Sequence, residues 1–176
     1  MASKNLAKTL FNQLEWRQDQ LKMFGKRVDI PRLQAWYGDD QLAYTYSQLT
    51  LIAKPRTPIL LQLKQKVSDF CQHDFNAVLA NCYRDQRDSV GWHSDDEAEL
   101  GLNPTIASLS FGAERHFHLK HKYNDEKIKL PLQSGSLLVM SGETQQYWQH
   151  SLPKTRIEKL MRINLTFRKI NQQESY

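Results

Sequence analysis

Two stretches in the first half of the chain repeat apolar residues with the period of a helix. In residues 4–18 leucines recur every four positions, with Phe11 one position off their stripe, which predicts a short amphipathic helix. A second helix is predicted from Thr57 onward, because Thr57 suits an N-cap and Pro58 suits the first helical position. We interpret it as a packing helix without chemistry of its own. The apolar positions of the two stripes are Leu6, Leu10 and Leu14, then Ile59, Leu60, Leu63, Val67 and Phe70.

From about residue 76 the pattern changes to short apolar segments separated by turns. Several alternate apolar with polar residues, as antiparallel strands with one buried face do. Helices first and many strands afterwards favour a sheet sandwich or open barrel backed by helices, with a pocket at its mouth. The predicted strands are AVLANCYR (77–84), TIASLSFG (105–112), RHFHLKH (115–121), KIKLPL (127–132), SLLVMS (136–141), YWQHSL (147–152) and LMRINLTFR (160–168).

Length and composition favour a single domain over residues 1–176, since 40% of the residues are hydrophobic and can form one buried core. No apolar run approaches the ~18 residues of a membrane span, and the first residues lack the apolar part of a signal peptide. We therefore expect an intracellular monomer, cytoplasmic in a bacterium or nuclear in a eukaryote, that contacts no membrane. Cys71 and Cys82 are too few for a disulfide framework or a thiolate metal site, and ordinary packing is expected of them.

The net charge of +5 suits a polyanionic partner, although many basic proteins bind no nucleic acid. Basic residues alternate with apolar or aromatic ones in GKRVDIPR, RHFHLKHK and the final RKI. This interleaving is typical of a strand face that lies along phosphates, and equally of a solvated sheet edge. The charge pattern alone leaves both interpretations open.

The stretch GWHSDDE contains a candidate metal site. His93 and Asp95 are two residues apart, so on a strand their side chains project from the same face. His150, far along the chain on another predicted strand, is a candidate third ligand. Two imidazoles and one carboxylate form the facial triad of non-haem Fe(II) oxygenases. The alternatives are a polar turn between strands and a zinc hydrolase, which uses the same ligand set.

The last predicted strand carries polar residues on one whole face. Arg162, Asn164, Thr166 and Arg168 share that face, while the residues between them are apolar. Guanidinium groups that point into a closed sheet need anionic partners, and arginine binds a carboxylate through two parallel hydrogen bonds. A dicarboxylate cosubstrate would meet this need. The alternative is an exposed edge strand whose arginines form salt bridges with Asp or Glu.

Four segments together resemble a known family. NCYRDQRDSVGWHSDDE, SLSFGAERHFHLKHK, SGSLLVMSGETQQYWQHSLP and RINLTFRKI are similar, in collinear order, to the AlkB family of Fe(II)- and 2-oxoglutarate-dependent nucleic-acid dealkylases. The resemblance covers about residues 20–170, and MFGKRVDIPRLQAWYGDDQLAYTYS resembles the branch that acts on duplex DNA. It implies a mainly β fold with flanking helices (α+β), a double-stranded β-helix or jelly roll. Its implied parts are a nucleotide-recognition lid at about 20–55, a packing helix at about 56–75 and an oxygenase core at about 76–170.

The resemblance also implies roles for individual residues. His93, Asp95 and His150 would bind Fe(II), and the cosubstrates would be 2-oxoglutarate and O2. Asn81 and Tyr83 match positions that hydrogen-bond 2-oxoglutarate. The remaining implied cosubstrate residues are Arg162, which would pair with the remote carboxylate, and Asn164 and Arg168 on the same face.

The implied reaction is removal of N-alkyl groups from bases such as 1-methyladenine or 3-methylcytosine in DNA, with release of formaldehyde and succinate. The damaged base would be flipped out of the duplex, with Phe24 filling the gap. Tyr44 and Tyr46 would border the base, and Glu97 would contact its exocyclic edge. Candidate phosphate contacts are Lys26, Arg27, Arg32, Arg115, Lys120 and Lys122. The alternatives are an oxygenase that acts on RNA or protein, and a non-catalytic nucleic-acid-binding module.

Overall fold

The computed structural model describes residues 2–23, 25–39, 42–46 and 49–171. The helices are α1 (Ala2–Gln13), α2 (Pro58–Cys71) and the single turn α3 (Thr144–Tyr147). The strands are β1 (Gln20–Met23), β2 (Lys26–Asp29), β3 (Leu33–Gly38), β4 (Ala43–Tyr46), β5 (Leu49–Ile52), β6 (Lys54–Pro55), β7 (Ala77–Tyr83), β8 (Val90–His93), β9 (Ile106–Gly112), β10 (Arg115–His121), β11 (Lys127–Leu132), β12 (Leu137–Met140), β13 (Trp148–Leu152) and β14 (Arg162–Arg168).

Two sheets form the body of the protein. The larger has six strands in the order β12-β9-β14-β7-β3-β6, and the smaller has four in the order β11-β10-β13-β8. Side chains of both sheets, such as Tyr83 and Ile106 from the larger and Phe117 and Leu119 from the smaller, meet in one buried cluster. This arrangement is the predicted jelly roll, and the predicted fold class is confirmed.

The two faces of β14 explain how the larger sheet is packed. Ile163, Leu165 and Phe167 are fully buried in a cluster that also contains Leu10 of α1 and Leu60 of α2. The helices therefore cover the outer face of the larger sheet. Because side chains alternate along a strand, the polar residues of β14 point the other way, into the space between the sheets.

The predicted elements of the sequence are largely present. All seven strands predicted after residue 76 exist, and Thr57 caps α2 by accepting a hydrogen bond from the Leu60 N–H. The first helix ends at Gln13 rather than near residue 18. The prediction that Phe70 faces inward is wrong, since 75% of it is exposed at the last turn of α2.

The expectation of helices first and strands afterwards is also wrong, because β1 to β6 precede α2. Four of them are four-residue strands that form two hairpins, β1–β2 and β4–β5, and β2 is exposed along its whole length, so no apolar period marks it. Strand β3, within the predicted lid segment 20–55, instead pairs with β7 in the larger sheet. The role of the rest of that segment as a lid stays a prediction. Within the described ranges, no helix combines the length and apolar character needed to cross a bilayer.

Candidate metal and cosubstrate site

The pairing of β8 with β13 brings the predicted metal ligands together. His93 lies directly opposite His150 in this pair, and Asp95 follows two residues after His93. The His93 Nε2 is 3.5 Å from Asp95 Oδ1, and the His150 Nε2 is 3.9 Å from the same oxygen. One ligand atom from each residue lies within 4.8 Å of the other two. These three residues, of which His150 lies 55 positions after Asp95 in the sequence, could therefore hold one metal ion.

The hydrogen bond of His93 prepares its ring for a metal. Its Nδ1 lies 2.9 Å from the Gly91 carbonyl oxygen, and a carbonyl can only accept, so Nδ1 carries the proton. The lone pair of His93 is then on Nε2, the atom that faces Asp95 and His150. A metal-binding histidine usually donates the N–H of its other ring nitrogen in this way.

His150 is buried and neutral at neutral pH. Burial, with the neighbouring imidazole of His93, lowers the pKa of His150 to about 4. Its ring stacks on Phe117 with the centroids 5.3 Å apart, which fixes the ring between the sheets. A neutral imidazole keeps a lone pair for a metal without first losing a proton.

The two carboxylate oxygens of Asp95 face different groups. Oδ2 accepts hydrogen bonds from Arg168, at 2.7 Å from Nη2 and 3.3 Å from Nε, while Oδ1 faces the histidines and has no hydrogen bond in the described part of the chain. Burial alone would raise the pKa of Asp95, but Arg168 and the two imidazoles outweigh it and hold the pKa well below the usual range. An ionised carboxylate with one oxygen free of hydrogen bonds, beside two imidazole nitrogens, fits a divalent iron.

Asn164, Thr166 and Arg168, on the polar face of β14, line the same cavity as the metal ligands. Neighbouring strands align a row of polar side chains across the larger sheet: Gln34, Asn81, Asn164 and Ser110 are register partners on β3, β7, β14 and β9. Arg162 belongs to the next row, opposite Tyr83. The Asn164 amide is engaged within the protein, because its Nδ2 donates to Ser108 at 2.7 Å.

Arg162 is a buried cation without an anionic partner among the described residues. Only 2% of it is exposed, its Nη2 donates to Ser110 Oγ at 2.9 Å, and its Nε has no hydrogen bond there. Its guanidinium carbon lies 5.3 Å from the centroid of the Tyr83 ring. Burial lowers the pKa of Arg162 to about 10, so the group remains charged at neutral pH. The distal carboxylate of a dicarboxylate such as 2-oxoglutarate fits this unpaired cation.

A family model for the 2OG-Fe(II) oxygenase superfamily matches residues 1–168. The chain belongs to this superfamily. The family resemblance inferred from the motifs is thereby confirmed, as is the expectation of Fe(II) and 2-oxoglutarate as its cofactor and cosubstrate. The histidine–aspartate–histidine cluster is the site where the described residues can hold that iron.

Curated proteins similar to this oxygenase belong to the AlkB homologues. Alpha-ketoglutarate-dependent dioxygenase alkB homolog 3 of Mus musculus is 44% identical over 175 residues, covering 92% of this chain and 59% of that protein. DNA oxidative demethylase ALKBH2 of Homo sapiens is 45% identical over 159 residues, covering 86% of this chain and 61% of that protein. The chain thus spans about three fifths of the length of the relatives it matches.

The solved structure of OsALKBH1 shares the fold of this oxygenase. The two match with a TM-score of 0.60 at 15% sequence identity, over 93% of this chain and 88% of that one. At this identity the match supports the architecture alone.

The structure corrects two of the predicted phosphate contacts. Arg115 is 2% exposed, and its guanidinium donates to the backbone carbonyls of Asp85, Asp88 and Pro153. Arg115 therefore links two loops through their backbone, and the prediction that it contacts phosphates is wrong. Arg32 is 6% exposed and lines the cavity, where it bonds Asn81 rather than facing solvent. A surface role is therefore wrong for Arg32 as well.

The other predicted substrate residues remain predictions. Lys122 donates to the Gln145 carbonyl at 2.9 Å and lies 3.8 Å from Asp96, so part of its charge is already paired. Glu97 is half-buried just before a single 3-10 turn. The backbone of Tyr44 and Tyr46 lies in β4, but their side chains lie outside the described part of the structure. Phe24 lies outside the described residues.

Sequence reasoning missed residues that support the metal ligands. Gln145 accepts a hydrogen bond from the Asp95 N–H at 2.9 Å and so fixes the backbone beside the ligand. Phe117 stacks on His150. The inward position of Phe117 could have been found from the alternation of β10, whereas nothing in the sequence marks Gln145.

The outer face of the smaller sheet forms a basic surface that we term the outer basic face. Strands β8, β10, β11 and β13 contain no Asp or Glu, and Lys120 covers the Trp92 ring at 4.7 Å. No acidic residue lines the groove beside it. Burial, with smaller contributions from the neighbouring Lys129 and His116, lowers the pKa of His118. The basic residues of the face and its groove are His116, His118, Lys120, Lys127, Lys129, Lys154 and Lys159.

Proposed function

We propose that this protein is an Fe(II)- and 2-oxoglutarate-dependent dioxygenase that removes N-alkyl groups from bases in DNA, of the 1-methyladenine and 3-methylcytosine type. The observation that carries the proposal is the convergent His93–Asp95–His150 cluster together with the unpaired buried guanidinium of Arg162, on the strand whose Asn164, Thr166 and Arg168 line the same cavity. A zinc hydrolase uses the first feature but has no need for the second. The names of the similar proteins, which include a DNA oxidative demethylase, support the substrate class.

Iron and 2-oxoglutarate, when bound, would supply the oxidation: one atom of O2 enters succinate, with loss of carbon dioxide, and the other hydroxylates the alkyl carbon. The hydroxymethyl group formed on a ring nitrogen is released as formaldehyde, which restores the base. The protein's task is to bind, orient and shield these reactants.

The residues of the cavity divide that task. The Gly91 carbonyl and Arg168 hold His93 and Asp95 so that one nitrogen and one oxygen face the metal position. Arg162 would bind the distal carboxylate of 2-oxoglutarate, and Asn81 and Tyr83 would hydrogen-bond it. The ring of Phe117, which stacks on His150, closes that side of the metal position and helps to exclude water.

The outer basic face supports a nucleic acid as the partner. Lysines that line a surface without carboxylates neutralise phosphates and release counterions, which favours DNA of any sequence. Lys120, Lys122, Lys26 and Arg27 are proposed phosphate contacts, and the last two are exposed on β2.

We propose that the substrate is duplex DNA whose damaged base is flipped out, because a base that stays within a duplex cannot enter a cavity between two sheets. Tyr44 and Tyr46 would border the flipped base, Phe24 would fill the gap it leaves, and Glu97 would favour a cationic lesion over a neutral base. Phe24→Ala should lower activity on duplex far more than on single-stranded substrate. Equal loss on both would argue against the wedge.

The direct test mixes the protein with Fe(II), 2-oxoglutarate and a 1-methyladenine duplex without oxygen, then admits oxygen and measures formaldehyde and succinate. We expect both products in wild-type protein and in Lys66→Met, whose side chain is exposed on α2, and neither in Asp95→Asn. Formaldehyde formed without 2-oxoglutarate would reject the mechanism. Succinate without formaldehyde, across methylated DNA and RNA, would reject the substrate class.

A further inference from the structure

The side-chain amide of Asn81 is held by two donors. Its Oδ1 accepts from Arg32 Nε at 2.9 Å and from Gln34 Nε2 at 3.1 Å, and all three side chains are buried. Asn81 lies on the cavity wall opposite Asn164, between the register positions of Arg162 and Arg168 on β14. Its amide therefore lies where a carboxylate of the cosubstrate would bind, in the cavity that also contains the metal ligands.

The orientation of this amide decides whether it attracts or repels a carboxylate. With Oδ1 turned to Arg32 and Gln34, the NH2 group of Asn81 is left to donate into the cavity. In the reverse orientation the amide oxygen would face the carboxylate, and two acceptors would repel each other.

Gln34 cannot select between these orientations. Its own amide can turn together with that of Asn81, so that Gln34 Oε1, which has no partner among the described residues, would accept from Asn81. Arg32 can select, because a guanidinium carries only donors and never accepts. The atom of Asn81 that faces Arg32 must therefore be the oxygen.

Arg32 is itself fixed for this purpose. Its Nη1 donates to the Ser89 carbonyl at 3.3 Å, and the Ser89 N–H donates to the Pro31 carbonyl at 2.9 Å, which ties the segment before β3 to the loop before β8. No carboxylate in the described ranges forms an ion pair with Arg32, so its positive charge also adds to that of Arg162 along the cavity wall.

We propose that Arg32 is a positioning residue for 2-oxoglutarate: it locks the Asn81 amide with its NH2 group toward the cavity, and so sets the affinity for this cosubstrate. This assignment rests on the proposed function. Arg32 would then act inside the cosubstrate site, through Asn81, and not as a surface contact with DNA.

The test compares Arg32→Met, Arg32→Lys and Gln34→Met in the full-length chain loaded with Mn(II). Binding of 2-oxoglutarate is measured by calorimetry, and folding is checked by the thermal midpoint and by Mn(II) affinity. Arg32→Met, which loses the donor, should raise the Kd for 2-oxoglutarate about tenfold, the effect of one lost charge-assisted hydrogen bond. Arg32→Lys, which is still a pure donor, and Gln34→Met, which leaves Arg32 in place, should stay within about threefold of wild type.

Steady-state kinetics with a methylated duplex separate this role from a DNA contact. Arg32→Met should raise KM for 2-oxoglutarate and leave KM for the duplex within about twofold. A raised KM for the duplex with unchanged 2-oxoglutarate binding would overturn the assignment and make Arg32 a substrate contact. Equal losses in Arg32→Met and Gln34→Met would overturn it too. If wild-type protein bound no 2-oxoglutarate at all, the proposed function itself would fail.

Discussion

At the scale of single residues, Asp95 shows how one buried carboxylate serves two partners. Arg168 binds Oδ2 and keeps the group ionised, while Oδ1 is left for the metal. The arrangement stabilises the metal-free protein, because a buried carboxylate without its cation is costly. It also restricts the carboxylate to binding the metal through one oxygen.

We predict that Arg168→Met weakens metal binding. Without the guanidinium, burial raises the pKa of Asp95 and its carboxylate loses its orientation. Loss of such a supporting hydrogen bond typically lowers metal affinity by about 10- to 100-fold. Mn(II) calorimetry measures the change, with circular dichroism to show that the variant is folded. Lys169→Met, next in sequence but paired with the exposed Asp74, is the matched control, and equal affinity in both variants would contradict the prediction.

His150 makes the stability of the metal-free protein depend on pH. Its pKa is lowered from the ordinary 6.5 to about 4, so between these values the unfolded chain binds a proton that the folded protein does not. The free energy of unfolding should therefore fall as the pH drops through this window, by roughly 3 kcal/mol in total for this residue. Urea unfolding from pH 7 to pH 4 should show a steeper loss in wild type than in His150→Gln. Parallel curves would contradict the expected proton uptake.

At the scale of elements, the pairing of β9 with β14 places Arg162. Gly112, the last residue of β9, lies opposite Arg162 with a φ of +87°, a left-handed conformation that favours glycine. A Cβ at this position would lie 2.4 Å from the Met161 carbonyl oxygen. The backbone can approach this closely only because Gly112 has no side chain.

Gly112→Ala should therefore disturb the cosubstrate site as well as the fold. The strained backbone and the clash should lower the free energy of unfolding by about 3 kcal/mol, and the displaced β14 end should weaken 2-oxoglutarate binding. Denaturant unfolding and calorimetry measure the two effects. Gly91→Ala is the control, since a Cβ there meets no heavy atom within 4 Å, and it should change stability by no more than about 0.5 kcal/mol. A stable Gly112→Ala with normal binding would disprove the argument.

At the scale of the whole molecule, positive charge lies in two separate places. Arg32 lines the cavity between the sheets and Arg162 is buried on β14, the strand that borders it, where the two cations suit a small dianion. Lysines and histidines cover the outer basic face, where they suit a polymer of phosphates. The sheet between them separates the two functions, so the charge of one surface can be changed without altering the other.

Lys129→Met should weaken binding to nucleic acid of any sequence to a similar degree. Removing one phosphate contact should reduce the slope of log Kobs against log salt concentration by about 1. Fluorescence anisotropy at several salt concentrations measures this slope, and Lys66→Met on the other side of the larger sheet should leave it unchanged. An unaltered slope in Lys129→Met would remove the outer basic face from the DNA-binding surface. Binding of 2-oxoglutarate should be normal in both variants.

Much of the core could be predicted from the sequence because its signals are local. The alternation of Ile163, Leu165 and Phe167 with polar residues fixes which side of β14 meets the helices, whatever strand lies next to it. The spacing of His93 and Asp95 likewise places two ligands on one face. The early strands were missed because they are short: β1 and β2 have four residues each, and β2 is exposed along its whole length, so its sequence shows no clear period.

The sequence by itself determined the His93–Asp95 pair and the polar face of β14, because each depends on a spacing within a short segment, whereas the jelly roll and the choice of His150 as third ligand followed from the family resemblance. Only the tertiary structure decided which arginines face the cavity, the solvent or the backbone. Arg32 and Arg115 both stand in basic segments, yet the first bonds Asn81 and the second bonds backbone carbonyls of two distant loops. The physical reason is that the burial of a long charged side chain depends on partners supplied by remote strands, which no local pattern records.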